Sequence, residues 1–481
     1  MVFQRALLII FGVIMTLNVV AFTAVGTNPF INEDDWFFLQ SVVMQFNDGQ
    51  FDLRDLYRMR DHTDHALPVH KLVMLASAQW FHLDSRFQAF VGVLCAVILA
   101  ALICWRILAT VAPGRSRIGT TLVIILVLSV FFSLNSTRNY TRWLVTLGYL
   151  SLCASFLLFL AVDGAIHRRP ISMGKVAIAT AIALVGGDDL GVLSVICSLA
   201  VLVMISIRDQ RKDLLKLALC LLVVLLAYRY LVYTQLVSYV RGYGSISLRK
   251  GLTFFLQEPL QIYKALVIPF ANSVLHRPHF DRLFGAWGQM GHTLLGFAVL
   301  GLHIGAWWRY IRDRGYQITA IPCLMLLLSY LALAGIFMVR VSAHGYDYFN
   351  SPRYMHMYQF GLVGAIWMWY LCPMQNAGVS ARRMGNSVTL ALLIGLSAAA
   401  LFSTVTAWSQ VRFYSAQQRH YAKYLVKLGD EPDGVCPKIY VICGKYKPEA
   451  RKEMIAFLHD HNLNVFKPGD EYGLRPDLNN Q

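Results

Sequence analysis

The chain has 481 residues, 57% of them hydrophobic and only 15% charged. That is too apolar and too charge-poor for a soluble multidomain protein of this length. Repeated apolar runs of about 20 residues, each long enough to cross a bilayer as a helix, define an all-α polytopic membrane protein. The formal charge of +16 does not point to nucleic acid, because no compact basic domain or binding motif goes with it. Lys and Arg fall instead at segment ends, as topology and anionic headgroups require.

Arg5 precedes the first apolar segment, about 6–26, which is too long for an ordinary signal peptide and is expected to stay as a helix. A first external loop follows, 27–86. Within it, Trp36–Phe46 and Phe51–Met59 have amphipathic character suited to a membrane surface. Spans are then expected at about 87–109, 119–134 and 143–162. A hairpin of two short segments comes next, about 176–186 and 190–207, with Gly186-Gly187-Asp188-Asp189 at its tip. A span at 214–234 leads into a second external loop, 235–284, with an interfacial helix over about 252–275 broken at Pro259 and Pro269. The last spans fall near 285–308, 318–339, 354–372 and 386–407.

Placing Arg5, Arg115/Arg117, Arg168/Arg169, Arg208/Arg211/Lys212, Arg309/Arg312/Arg314 and Arg382/Arg383 inside gives eleven spans, with the N-terminus cytoplasmic and the C-terminus outside. The external segments nevertheless carry Arg54, Arg58, Lys71, Arg138, Arg142, Arg241, Arg249, Arg340 and Arg353. A polyanionic substrate would account for that departure from the usual bias. Residues 1–407 thus form a transmembrane domain and 408–481 a soluble tail. In the tail Lys438–Cys443 reads as a strand, Pro448–His459 as a helix and Leu463–Phe466 as a returning strand, a small β-α-β unit. Cys436 and Cys443 are its only cysteines and could pair in an oxidising compartment. The other seven cysteines lie in apolar spans.

The acids concentrate where the first span ends. Nine of the 27 lie between Glu33 and Asp84, and Glu33, Asp34 and Asp35 are consecutive. Acids near hydrocarbon are costly. A partly desolvated carboxylate has the raised proton affinity that suits a general base. Helix capping would explain one or two of the three.

Asp61-His62-Thr63-Asp64-His65 and then Pro68, His70 and Lys71 precede the next span. Their spacing matches no zinc site, and hydrogen bonding to a phosphate or sugar is the expected role, with a solvated loop as the alternative. Arg138 and Arg142, at i, i+4 spacing, could share a helix face and hold a phosphate together, or anchor a span end. Arg353 and Tyr354, with Arg340 and His344 nearby, form a second candidate clamp, with lipid headgroups as the alternative ligand. Asp188 and Asp189 could assist catalysis, bind a divalent cation such as Mg or Mn, or terminate two helices.

Asn32, Asp34, Asp35 and Trp36, followed by Asp64, His65 and Pro68, resemble the Asn-x-Asp-Asp-Trp and Asp-His-x-x-Pro motifs of bacterial O-antigen-modifying GT-C glycosyltransferases. The similarity extends over the N-terminal seven spans, and the family's Arg after the His is Ala66 here. The resemblance implies a periplasm-facing enzyme of the inner membrane. It would transfer a sugar with inversion from an undecaprenyl-phosphate-linked donor to an envelope glycan or lipid-linked acceptor such as lipopolysaccharide. A loop-one aspartate would be the base, and a flippase and a donor synthase would act in the same pathway. Two other classes compete. A flippase for lipid-linked saccharide should show mid-span charges and related halves, and an O-antigen polymerase or ligase should carry its large loop late in the chain.

Overall fold

The computed structural model describes residues 2–59, 65–110, 117–167, 172–239, 248–371, 379–430 and 440–468. Twelve longer helices carry the architecture among them: α1 Val2–Gly26, α2 Pro68–Phe81, α3 Ser85–Thr110, α4 Arg117–Phe131, α5 Gly148–His167 and α6 Met173–Arg208. The others are α7 Lys212–Leu231, α8 Gly288–Arg312, α9 Ile321–Ile336, α10 Met355–Leu371, α11 Val379–Asp430 and α12 Pro448–Asp460. Among the described residues eight helices are long and apolar enough to cross a membrane, and the runs Ile118–Phe131 and Met173–Gly187 are shorter apolar helices. The protein is an all-α polytopic membrane protein. Outward Leu219, Val223 and Leu226 on α7, and Ile9, Ile10 and Leu17 on α1, mark surfaces suited to lipid.

The segment α6 is helical along its length yet doubles back on itself. A Cβ built on Gly191 would collide with the Ala183 carbonyl, whereas eight residues of straight helix span about 12 Å. The end of α5 that precedes it and its own far end also meet the same residue, Tyr316. His167, just before α6, lies within 3.1 Å of the Tyr316 carbonyl, and Arg208 at its far end covers the Tyr316 ring at 5.0 Å. The hairpin expected at Gly186–Asp189 is therefore present. The missing Cβ at Gly191 is what lets the two limbs touch.

Small residues set other helix contacts, as is usual in bilayers. A Cβ on Gly92 of α3 would stand 2.5 Å from the Thr146 carbonyl carbon, and one on Gly148 would stand 2.6 Å from His356 Nε2. At the end of the bundle near Tyr316, buried Asp163 of α5 collects Thr319 Oγ1 at 2.9 Å and the Ala320 backbone N–H at 2.6 Å, along with Arg106 of α3. One carboxylate thereby ties α3 and α5 to the start of α9, offsetting its own desolvation.

The other end of the bundle gathers the polar loops. Asp35–Phe38, Leu39–Val43 and Met44–Asn47 run on as helical turns, but Trp36, Phe38, Leu39, Val42 and Val43 are buried. This segment is packed within the protein rather than laid on a membrane surface. Phe51–Met59 forms one turn, Leu53–Leu56, and a two-residue strand, Arg58–Met59, that pairs in parallel with Ser238–Tyr239 of the second loop. In that loop the break at Pro259 is found, between Leu248–Gln257 and Tyr263–Asn272. Pro269 instead sits inside the second helix.

The C-terminal region also differs from expectation. No break separates the last apolar run from the tail: α11 continues for 52 residues, about 78 Å. It runs alongside α1 and beyond it. Trp408 reaches Asn18, Gln418 the Gly26 carbonyl, and Tyr421 the Ile31 carbonyl. The expected helix is present as α12. Residues 463–466, expected as a strand, form a 3-10 turn, Asn464–Phe466, and Val441–Lys445 is a helical turn. Cys443 is disulfide-bonded, and Cys436 lies outside the described residues. Tyr421, Leu425, Ile442, Met454 and Phe466 share one apolar core with Phe30, Ile31, Trp36 and Val42. The tail is docked on the first loop.

Candidate functional site

The acidic turn is built by its own hydrogen bonds. Asn32 Oδ1 accepts from the Glu33 N–H at 2.8 Å, and the Asn32 carbonyl accepts from the Asp35 N–H at 3.0 Å. Closing both bonds puts Glu33 at φ +48°, a left-handed conformation that costs a side-chain-bearing residue roughly 1–2 kcal/mol. Such strain persists only where the surroundings over-determine it, and it clusters at functional sites. Asp34 occupies the N-cap position of the short helix but makes no capping bond with its side chain.

Asp35 is 2% exposed. Its Oδ2 accepts the Asn32 N–H at 2.9 Å. Its Oδ1 has no hydrogen-bond partner, although Arg142 stands 4.0 Å away and the Trp143 indole lies close without a well-aligned bond. Burial pushes the carboxyl up to about 6, against smaller opposing pulls from Arg142, the Asn32 N–H and Trp143. A carboxylate poised near neutrality, with one oxygen uncommitted, can take a proton.

Arg142 is committed to the acids. Its Nη2 is 2.9 Å from Glu33 Oε2 and donates to the Asn32 carbonyl at 3.3 Å. This corrects the expectation of a shared helix face with Arg138. The helical turn Arg138–Thr141 ends there, and Arg142 is extended, at φ −115° and ψ 103°. Arg138 remains exposed, on a turn packed against Pro352–Tyr354. Ser136 Oγ fastens the two by donating to the Pro352 carbonyl at 3.2 Å. Arg138 and Arg353 thus stand on adjacent turns. Tyr354 feels the charges of Arg353 and Arg340, and its ring is 6.1 Å from Tyr348, on which His344 stacks at 5.0 Å.

Beneath these turns, Asn135 donates to the Asn272 carbonyl at 2.7 Å and accepts the His276 N–H at 2.5 Å. Asn272 donates to the Phe349 carbonyl at 3.2 Å. Three connections distant in sequence are thereby fixed together.

The histidine region divides in two. His65 Nδ1 lies 2.7 Å from Asp189 Oδ2, and Arg229 is 3.8 Å from the same carboxylate. The first loop is thus joined to the α6 hairpin tip. His70 is buried, and burial lowers its imidazole to about 3, which keeps it neutral and out of solvent. Lys71 is fully buried, and its ammonium donates to the carbonyls of Asp55, Leu56 and Arg58 at 3.2, 2.8 and 2.6 Å. Contrary to expectation, both residues lie in the loop interior rather than face a phosphate, and Lys71 ties the loop backbone together. Asp64 and the Asp188 side chain lie outside the described residues. Among the described residues no three His, Cys, Asp or Glu side chains converge on a metal position.

Sequence reasoning missed Trp143, Tyr421 and Asn464. The last two lie about 390 and 433 positions from their partner Ile31, and no local pattern announces them. Fold and site define an all-α polytopic membrane protein with a buried carboxylate and clustered arginines at one end of its bundle. No family model, curated protein or solved structure matches the chain.

Proposed function

We propose that the chain is a membrane glycosyltransferase that moves a sugar, with inversion, from a polyprenyl-phosphate-linked donor to a cell-envelope glycan or lipid acceptor. The observation that carries this reading is buried Asp35, its proton affinity raised and its Oδ1 uncommitted, at the bundle end that also presents Arg138 and Arg353. The acceptor hydroxyl gives its proton to Asp35 as its oxygen attacks the anomeric carbon. The bond from that carbon to the phosphate oxygen breaks, and polyprenyl phosphate leaves with an added negative charge. Arg138 and Arg353 meet that charge, with Arg340 and Tyr354 supporting them. Glu33 holds Arg142, which restrains the proton affinity of Asp35, and Asp34 is the alternative base.

In this reading the chain crosses a bacterial inner membrane eleven times, counting both limbs of α6, with its N-terminus in the cytoplasm and its tail in the periplasm. The Cys443 disulfide suits an oxidising compartment. The test is mass spectrometry of envelope glycans in cells carrying wild type, Asp34→Asn or Asp35→Asn at matched protein levels. Loss of one defined sugar in Asp35→Asn supports the reading and names the base. Unchanged glycans in both variants refute it and favour transport of a lipid-linked saccharide.

A further inference from the structure

We propose that Tyr421 and Asn464, from the C-terminal helix and tail, are positioning residues that orient the backbone supporting Asp35. The inference deepens the reading of Asp35 as the site's base. It rests on two consecutive peptide units. The first joins Phe30 to Ile31, and its N–H donates to Asn464 Oδ1 at 3.0 Å. The second joins Ile31 to Asn32. Its carbonyl accepts from the Tyr421 hydroxyl at 2.9 Å, and its N–H donates to Asp35 Oδ2 at 2.9 Å. Carbonyl and N–H point to opposite edges of one rigid plane. Fixing the carbonyl on Tyr421 therefore aims the N–H at the carboxylate.

Asn464 is built for this task. It is buried and sits at φ +57°, a conformation that Asn tolerates better than most residues. Besides holding Ile31, its Nδ2 donates to the carbonyls of Pro29 at 3.2 Å and Leu83 at 2.8 Å, and its own N–H donates to the His82 carbonyl at 2.6 Å. One side chain thus spans the exit from α1 and the turn between α2 and α3. An adhesive contact for the tail would not need to reach the two peptides next to the acid. A second tail contact, Asn47 with His461 at 2.8 Å, is exposed and lies at the far end of the helical turns that start at Asp35, and it serves as the control.

The test reads the protonation of Asp35 without any assay of transfer. Full-length protein in nanodiscs is treated across pH with a hydrophobic carbodiimide, which modifies protonated buried carboxyls, and modification at Asp35 is quantified by mass spectrometry. Tyr421→Phe keeps the ring and removes the hydroxyl. Asn464→Gly keeps the left-handed backbone and removes the side-chain bonds. Losing the aimed N–H disfavours the carboxylate, so the labelling midpoint is expected to rise by about one unit in each, a tenfold gain in proton affinity. Asn47→Ala should leave it unchanged. An unchanged midpoint in Tyr421→Phe overturns the proposal, as does a fall, which would mean the residue only seals the site from water. An equal rise in Asn47→Ala also overturns it, because tail docking in general would then be the cause. If the midpoints move as expected while Asp35→Asn leaves every glycan unchanged, the positioning role stands and the transferase reading fails.

Discussion

Replacing Asp35 with Asn should make this protein more stable at neutral pH and inactive at once. The carboxyl is raised from 3.8 to about 6 by burial, so the folded state holds its proton more tightly than the unfolded chain does. Below about pH 4 both states are protonated and the side chain is neutral in either. Between 4 and 6 the unfolded chain ionises first, so stability falls as pH rises, and above 6 the deficit is complete. A shift of about two units corresponds to a deficit on the order of 3 kcal/mol. Asn removes it, because the isosteric amide oxygen can still accept the Asn32 N–H. Thermal unfolding of wild type and Asp35→Asn in the same detergent, at pH 4.5 and 7.5, measures this. The variant should melt several degrees higher at pH 7.5 and close to wild type at pH 4.5. A variant less stable at pH 7.5 than at 4.5, relative to wild type, would show that the carboxylate is a net stabilising partner of Arg142, and the reasoning from desolvation would fail.

Three further outcomes follow from other contacts. Arg142→Gln removes the cation that restrains Asp35, and an arginine this close typically lowers a carboxyl by about one to three units; the carbodiimide midpoint should rise accordingly, and a fall would mean the site had opened to water. Lys71→Met removes the donor shared by the carbonyls of Asp55, Leu56 and Arg58, at about 1 kcal/mol each, so trypsin should cut at Arg54 and Arg58 well before any site in α3; cleavage no faster than in wild type would show that the ammonium is dispensable. Asp163→Ala leaves Arg106, Thr319 Oγ1 and the Ala320 N–H without their shared acceptor, a loss of about 3–5 kcal/mol seen as a lower melting temperature, with Asp163→Asn recovering part of it; equal melting of Ala variant and wild type would contradict this.

Much of the architecture was legible in the chain because a bilayer reduces the problem to length and apolarity. About 20 apolar residues must be a helix there, since no water is present to satisfy an open backbone. The same reasoning located the hairpin at Gly186–Asp189, where two rather short apolar runs meet at a glycine pair. It also found the acidic turn, because three carboxylates beside hydrocarbon need a cause. Local spacing failed where a residue's partner comes from elsewhere. Arg138 and Arg142 have the spacing of one helix face, yet Glu33 and the Asn32 carbonyl draw Arg142 out of the helix. Lys71 and His70 sit in a polar motif that suggests substrate contact, yet both are buried in the folded loop.

The tail shows the limit most plainly. Its composition is that of an independent soluble unit, and strand propensity suggested a β-α-β fold. The residues that would have formed such a core are instead shared with the first loop, where Ile442, Met454 and Phe466 pack with Ile31, Trp36 and Val42. The sequence by itself determined the helical class, the apolar segments and the cluster of acids, because these depend on local composition. Only the tertiary structure decided which acid is buried, which arginine restrains it, and that residues about 390 and 433 positions away hold its backbone. Proton affinity and hydrogen-bond direction depend on what surrounds a group in space, and chain order does not record that.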